Sequence, residues 1–247
     1  VNPPHWTLAV SEAPRALLEF SSLALFRKTL INKLPRGDGH GVMVLPGFMG
    51  DDPYNQSLID FLNELGYVAT GWEMGRNLGQ KSISVDDLKR KIAQLARSGD
   101  GHVSLVGHSL GGIYAREIAR KAPDAVRQVI SLGSPFGEGR HDGSHASRLY
   151  KRLNPESAQT ADEVITQSLL SIAPPVPTSS IYTKADGVVN WRTAIQDDNH
   201  TQTQNIEVIG SHCGLTLNPV VWYLLANLLL EKKDSWQRFK SPMFHCH

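Results

Sequence analysis

Short apolar runs bounded by Gly and Pro alternate along most of this chain with longer stretches in which apolar residues return every three or four positions. The first kind reads as a strand buried on both faces, the second as a helix with one face turned inward. The pattern predicts strands at Gly41–Leu45, Tyr67–Trp72, His102–Val106, Val126–Leu132, Ser179–Thr183 and Asn205–Ile209. It predicts helices at Ala13–Ile31, Tyr54–Leu65, Val85–Arg97, Leu110–Lys121 and Pro219–Leu230, the last with Pro in its first turn. In the first helix Leu17, Leu18, Leu25, Phe26 and Leu30 can share a broad face, which is expected to pack on the domain. A helix lying on a membrane surface is the alternative.

Strands alternating with helices imply crossovers between parallel neighbours. The predicted class is α/β, with a mostly parallel central sheet, helices on both faces and a small cap insertion, all within one domain over residues 1–247. Such sheets bind ligands beyond the carboxyl ends of their strands. That directs the search to the residues just after Leu45, Val106, Leu132, Thr183 and Ile209. One long excursion, Pro135 to Pro177, interrupts the alternation. Excursions of that length are commonly functional covers, so residues 136–177 are expected to form a cap over the site, with a plain insertion as the alternative.

Composition narrows the function. The 247 residues carry 25 Lys and Arg against 24 Asp and Glu, a net charge of +1, and 40% are hydrophobic. A nucleic-acid binder should show a basic excess or stripe, and none is present. The two cysteines, Cys213 and Cys246, cannot form a disulfide framework. The most apolar stretch, Val220–Leu230, is too short for a transmembrane segment and is interrupted by Asn227. The opening Val1-Asn2-Pro3-Pro4 has no signal-peptide pattern, so cytoplasm is the default location, with a leader already removed as the alternative. The final His245-Cys246-His247 is expected to be a frayed tail rather than a metal site.

Gly107-His108-Ser109-Leu110-Gly111 stands between an apolar strand and a helical pattern. A serine at such a turn is driven into a sparsely allowed backbone conformation that lifts its Oγ above the sheet. Glycine at 107 and 111 removes the collisions that the tight reversal would create. The hydroxyl needs a base, and the base needs orienting. His212 follows the last strand and is the expected base, with His200 as fallback. His102 begins its strand at the wrong end, and His108 is expected to pack nearby. Asp186, in the turn after Ser179–Thr183, is the expected orienting carboxylate, with Asp197 and Asp198 in reserve. The order Ser109, Asp186, His212 is the one the hydrolase template requires. The backbone N–H groups of Phe48, in Leu45-Pro46-Gly47-Phe48, and of Leu110 are the expected oxyanion donors. Trp72, Arg76 and Asn77 follow the second strand and could line the pocket, without an evident mechanism.

With these pieces in order the chain resembles the α/β-hydrolase superfamily, and within it bacterial lipase-like serine esterases. The resemblance rests on Leu45-Pro46-Gly47-Phe48, Gly107-His108-Ser109-Leu110-Gly111-Gly112, Leu132-Gly133-Ser134-Pro135, Asp186-Gly187-Val188-Val189 and Ser211-His212. It covers roughly residues 41 to 230. It implies a carboxylic-ester hydrolase working through an acyl-enzyme on a small ester or lipid, with no metal or organic cofactor. Acyl transfer and thioester, lactone or amide hydrolysis use the same machinery, and a ligand-sensing binding protein on this fold is a further alternative. The chain departs from the lipase pattern in having Pro46-Gly47 where lipases commonly have His-Gly, and in a cap short for a long-chain lipase.

Overall fold

The computed structural model describes residues 2–79, 83–97, 99–137, 144–154, 171–196 and 201–240. The reserve residues Asp197, Asp198 and His200, and the tail His245-Cys246-His247, lie outside the described residues. In chain order the main elements are α1 (Trp6–Val10), α2 (Glu12–Lys33), β1 (Gly41–Leu45), α3 (Asp52–Glu64), β2 (Val68–Gly71), α4 (Val85–Ala96), β3 (Val103–His108), α5 (Leu110–Lys121), β4 (Val126–Leu132), α6 (Ser147–Leu153), β5 (Thr178–Tyr182), β6 (Thr203–Glu207) and α7 (Pro219–Leu228). The strands form a parallel sheet in the order β2-β1-β3-β4-β5-β6.

Alternate residues of each strand feed opposite faces of the sheet. Val42 and Val44 of β1, Val106 of β3 and Ile130 of β4 point into one core, built with Leu58, Phe61 and Leu62 of α3 and Trp222 and Leu225 of α7. Phe61 stacks on Trp222 with ring centroids 4.2 Å apart. Met43, Leu45, Val103, Leu105 and Val129 point into the other core, against Leu88 and Ile92 of α4 and Ile113 and Ile118 of α5. Burial on both faces is why these strands read as continuous apolar runs.

Two expectations are corrected. The apolar face read for the first helix is only in part its packing face: Leu30 packs against the core as expected. Leu17, Leu18, Leu25 and Phe26 face solvent, Leu25 at 78% exposure, while Glu12 and Leu23 are buried. The last strand ends two residues earlier than its apolar pattern suggested, and Ile209 is 92% exposed. No helix among the described residues is long and apolar enough to cross a membrane.

Candidate functional site

β3 passes directly into α5 through Ser109, whose φ of 51° and ψ of −119° are strained for a residue with a side chain. The strain is held by the packing around it. A Cβ on Gly107 would strike the Gly112 backbone, and one on Gly111 would strike the Leu45 carbonyl. The Ser109 N–H donates to the Leu132 carbonyl at 2.8 Å, fixing the turn to the end of β4.

Asp186 and His212 meet from the ends of β5 and β6. His212 Nδ1 donates to Asp186 Oδ2 at 2.7 Å, and both side chains are buried. A carboxylate partner on Nδ1 leaves Nε2 as the nitrogen free to take a proton. Burial alone would push the imidazole pKa down. The Asp186 charge, its hydrogen bond and the Glu12 charge outweigh that, and the net direction is upward. Gly133, at the end of β4 with φ 58°, makes room for the pair: a Cβ there would lie 3.1 Å from His212 Nδ1 and 3.4 Å from Asp186 Oδ2. Among the described residues no hydrogen bond joins Ser109 to His212, a link that in such sites often tightens only around substrate.

His108 packs beside the site. Its Nε2 donates to the His212 carbonyl at 3.0 Å, and its ring lies 5.0 Å from the His212 ring, with Tyr54 stacked on it. Burial and the neighbouring imidazole push its pKa down to about 3. It is therefore a neutral packing histidine that supports the loop bearing His212.

The loop after β1 carries Phe48. Among the described residues neither the Phe48 N–H nor the Leu110 N–H donates to a backbone acceptor. Both are left free, as an oxyanion site requires. The loop is braced by Asn77, which is fully buried. Asn77 Nδ2 donates to the Pro46 carbonyl at 2.8 Å, its N–H donates to the Gly50 carbonyl at 2.8 Å, and its own carbonyl accepts from Met49 N–H at 2.7 Å.

Comparisons with known proteins bear on the fold. A family model describing the α/β-hydrolase fold matches residues 74–172. Solved structures superpose over most of the chain at low identity. One from the metagenome-derived lipolytic enzymes LipS and LipT has a TM-score of 0.58 at 15% identity, covering 79% of this chain and 95% of that one. The monoacylglycerol lipase of Paleococcus ferrophilus has a TM-score of 0.56 at 13% identity, covering 80% and 96%. The chain is an α/β-hydrolase-fold protein. Triacylglycerol lipases of Pseudarthrobacter phenanthrenivorans and Burkholderia plantarii are each 26% identical over 116 residues, 47% of this chain. The matched stretch spans only 35% and 31% of those lipases' own lengths.

In this α/β-hydrolase fold, α6 and the residue after it, in the excursion after β4, lie against the segments that follow β1 and β2. Tyr150 of α6 meets Phe48 edge-on with ring centroids 5.4 Å apart. Asn154 Nδ2 donates to the Leu78 carbonyl at 2.8 Å. The far end of the excursion is gripped by the buried Arg116, which donates to the Ile172 carbonyl at 3.0 Å and lies over the Phe136 ring.

The sequence reading missed Glu12, Arg15 and Glu19 of α2. Arg15 Nη1 donates to the carbonyls of Ala185 (2.6 Å) and Gly210 (3.2 Å), and Glu19 Oε1 accepts from Ser211 N–H at 2.6 Å. The only trace in the sequence is a Glu–Arg pair three apart and a further Glu one turn on, which reads as an ordinary solvated helix face. Cys213 is half-buried, and burial pushes its thiol up to about 12.

Proposed function

We propose that this protein is a serine hydrolase of carboxylic esters. His212 Nε2 takes the Ser109 hydroxyl proton as Oγ attacks the ester carbonyl carbon. The carbonyl π pair moves onto oxygen, and the N–H groups of Phe48 and Leu110 bind that oxyanion. Collapse expels the alkoxide, which leaves as the alcohol with the proton held on His212. Water then repeats the sequence on the acyl-enzyme, freeing the acid and restoring Ser109. Asp186 keeps Nδ1 protonated and stabilises the imidazolium. The excursion between β4 and β5 serves as a cap, with Tyr150 over the Phe48 loop.

The observation that carries this reading is the strained Ser109 at the β3–α5 turn, at the same sheet end as a buried His212–Asp186 pair. Backbone strain persists where the surrounding structure over-determines it, which is common at reacting groups. The lipase and lipolytic relatives point to an ester substrate. The test is turnover of p-nitrophenyl esters from acetate to decanoate, with Ser109→Ala as control. Expected is turnover that Ser109→Ala abolishes, with a fluorophosphonate labelling Ser109 in the unmodified chain. Labelling without turnover of any ester would favour a ligand sensor, and near-native turnover by Ser109→Ala would remove Ser109 from the mechanism.

A further inference from the structure

A buried carboxylate that the ester-hydrolysis scheme does not use lies directly behind the acid–base pair. Glu12, at the start of α2, is 6% exposed. Its Oε1 accepts from the N–H of Gly187 at 2.7 Å and of His212 at 3.1 Å. Its Oε2 accepts from the N–H of Cys213 at 3.0 Å. Gly187 is the residue after Asp186, so one carboxylate grips the loop after β5 and the loop after β6 together. The chain separations are 175 and 200 residues, so no local turn requirement explains the contact.

The same helix repeats the arrangement. Arg15 pairs with Glu12 at 2.9 Å and donates to one carbonyl from each loop, Ala185 and Gly210. Glu19 takes the N–H of Ser211. Charge-assisted bonds to backbone N–H groups are among the stronger and more directional ones in proteins. The first turns of α2, whose Leu17 and Leu18 face solvent, are thus docked by polar side chains at the two loops that hold Asp186 and His212, while Leu23 and Leu30 pack its later turns on the core.

We infer that Glu12 is a positioning residue for the candidate active site, its carboxylate fastening the loop of Asp186 to the loop of His212 so that the imidazole stays aligned. The inference rests on the esterase reading for its consequence in catalysis. Its geometric part can be tested apart from activity. The titratable and charged groups facing His212 are Asp186 from the loop after β5, His108 from the end of β3 and Glu12 from α2. Behind them stand Arg15 and Glu19 of α2, Cys213 beside the ring, and Tyr54 of α3 over His108. Of the α2 residues, Glu12 is the one whose charge acts on the His212 imidazole, in the direction that favours its protonation.

The experiment follows the His212 imidazole by NMR across pH in the unmodified chain, Glu12→Gln and Glu12→Asp, together with the rate at which a fluorophosphonate labels Ser109. Glu12→Gln removes the charge and leaves the Cys213 N–H facing an amide. Its His212 midpoint is expected to fall by about one pH unit, a tenfold loss of proton affinity. Labelling at a pH above every midpoint, where the imidazole is neutral in each variant, is expected to slow roughly tenfold. Glu12→Asp keeps the charge on a shorter arm, so labelling slows while the midpoint stays near that of the unmodified chain. Should Glu12→Gln fail to fold, Arg15→Gln replaces it. Removing that cation from beside the carboxylate is expected to raise the midpoint. Folded Glu12→Gln, or Arg15→Gln in its place, with an unmoved His212 midpoint, or folded Glu12→Asp with an unchanged labelling rate, overturns the inference. Absence of labelling in the unmodified chain would instead sink the esterase reading, and the midpoint comparison would still decide the role of Glu12.

Discussion

Asp186 holds His212 by one oxygen and is itself held by the other: Oδ2 takes His212 Nδ1 at 2.7 Å, while Oδ1 takes the N–H groups of Val188 at 2.8 Å and Val189 at 2.7 Å. The carboxylate therefore cannot rotate without breaking two backbone bonds. In Asp186→Asn the side-chain oxygen must stay on those two N–H donors, which turns the amide NH2 toward His212. Nδ1 then has to accept, the ring proton moves to Nε2, and the base can no longer take the Ser109 proton. Ester turnover is expected to fall roughly 10³–10⁴-fold with little change in melting temperature. A loss under tenfold would mean that the tautomer is not set by Asp186.

The same pair fixes a pH dependence. The proposed base must be neutral to act, and although burial opposes charge on His212, the Asp186 carboxylate, its hydrogen bond and Glu12 move its pKa upward overall. The acid limb of kcat/KM is therefore expected above the ordinary histidine value of about 6.5. A profile flat from pH 8 to pH 5 would contradict His212 as the base.

Asn77 offers a separate handle on the proposed oxyanion loop. Besides its backbone bonds, its side chain donates to the Pro46 carbonyl at 2.8 Å and accepts from Gly79 N–H at 3.1 Å. Asn77→Ala leaves both partners unpaired in a buried setting, at a cost of about 1–3 kcal/mol each. The loop carrying Phe48 should loosen, lowering kcat by roughly 10–100-fold with KM nearly unchanged. Michaelis parameters on one p-nitrophenyl ester check this. An equal rise in KM at constant kcat would assign Asn77 to ground-state binding.

Much of this architecture is legible from the chain because the strands are buried on both faces and the turns are marked by Gly and Pro. Gly107 and Gly111 in particular are identified by the collisions they avoid. The places where pattern reading goes astray share one cause, burial of polar residues. Gln204 and Asn205 of β6 are buried, with Gln204 Nε2 donating to Ser179 Oγ at 2.8 Å and Asn205 Nδ2 to the Gln196 carbonyl at 2.9 Å. An apolar criterion passes over Thr203 and Gln204 and starts the strand at Asn205, two residues too late. Glu12, Arg15 and Glu19 dock α2 through loop N–H and C=O groups, and bonds of that kind have no hydrophobic period. Asn77 could be noticed but not explained, because its partners, Pro46 and Gly50, come from another strand end.

A second Ser–His–Asp array shows that the trio alone does not make a site. In the lower half of the sheet His40 Nε2 bonds Ser104 Oγ at 2.8 Å and Nδ1 bonds Asp38, but Ser104 is buried within β3 and Arg127 stands beside the ring, 3.1 Å from Nδ1. Burial and the Arg127 charge push the His40 pKa down, against the pull of Asp38. His108 is displaced the same way, to about 3. For a histidine whose folded pKa is depressed, the unfolded chain binds the proton first, so stability is full above about 6.5 and is lost as pH falls below it. His108 alone should cost about 2 kcal/mol between pH 7 and pH 5. The raised pKa of His212 acts oppositely, adding stability below about 6.5, and offsets part of the loss. Urea unfolding at pH 7 and pH 5 is expected to show a net fall in the unmodified chain and a smaller one in His40→Gln. Equal slopes in both would show that His40 does not titrate on unfolding.

The contact between Tyr150 and Phe48 bears on acyl-chain selection. Tyr150 comes from α6, in the excursion proposed as the cap, and its ring stands edge-on to the residue whose N–H is the proposed oxyanion donor. In the proposed site, removing the ring opens space beside the Phe48 loop, where the acyl group would extend, without touching Ser109, Asp186 or His212. Each methylene newly accommodated in an apolar pocket is worth about 1 kcal/mol or more in kcat/KM. Tyr150→Ala is therefore expected to raise the decanoate-to-acetate ratio of kcat/KM by roughly tenfold, read across the p-nitrophenyl series. A uniform change at every chain length would instead mean that Tyr150 acts through the Phe48 loop, since misplacement of an oxyanion donor slows all esters alike.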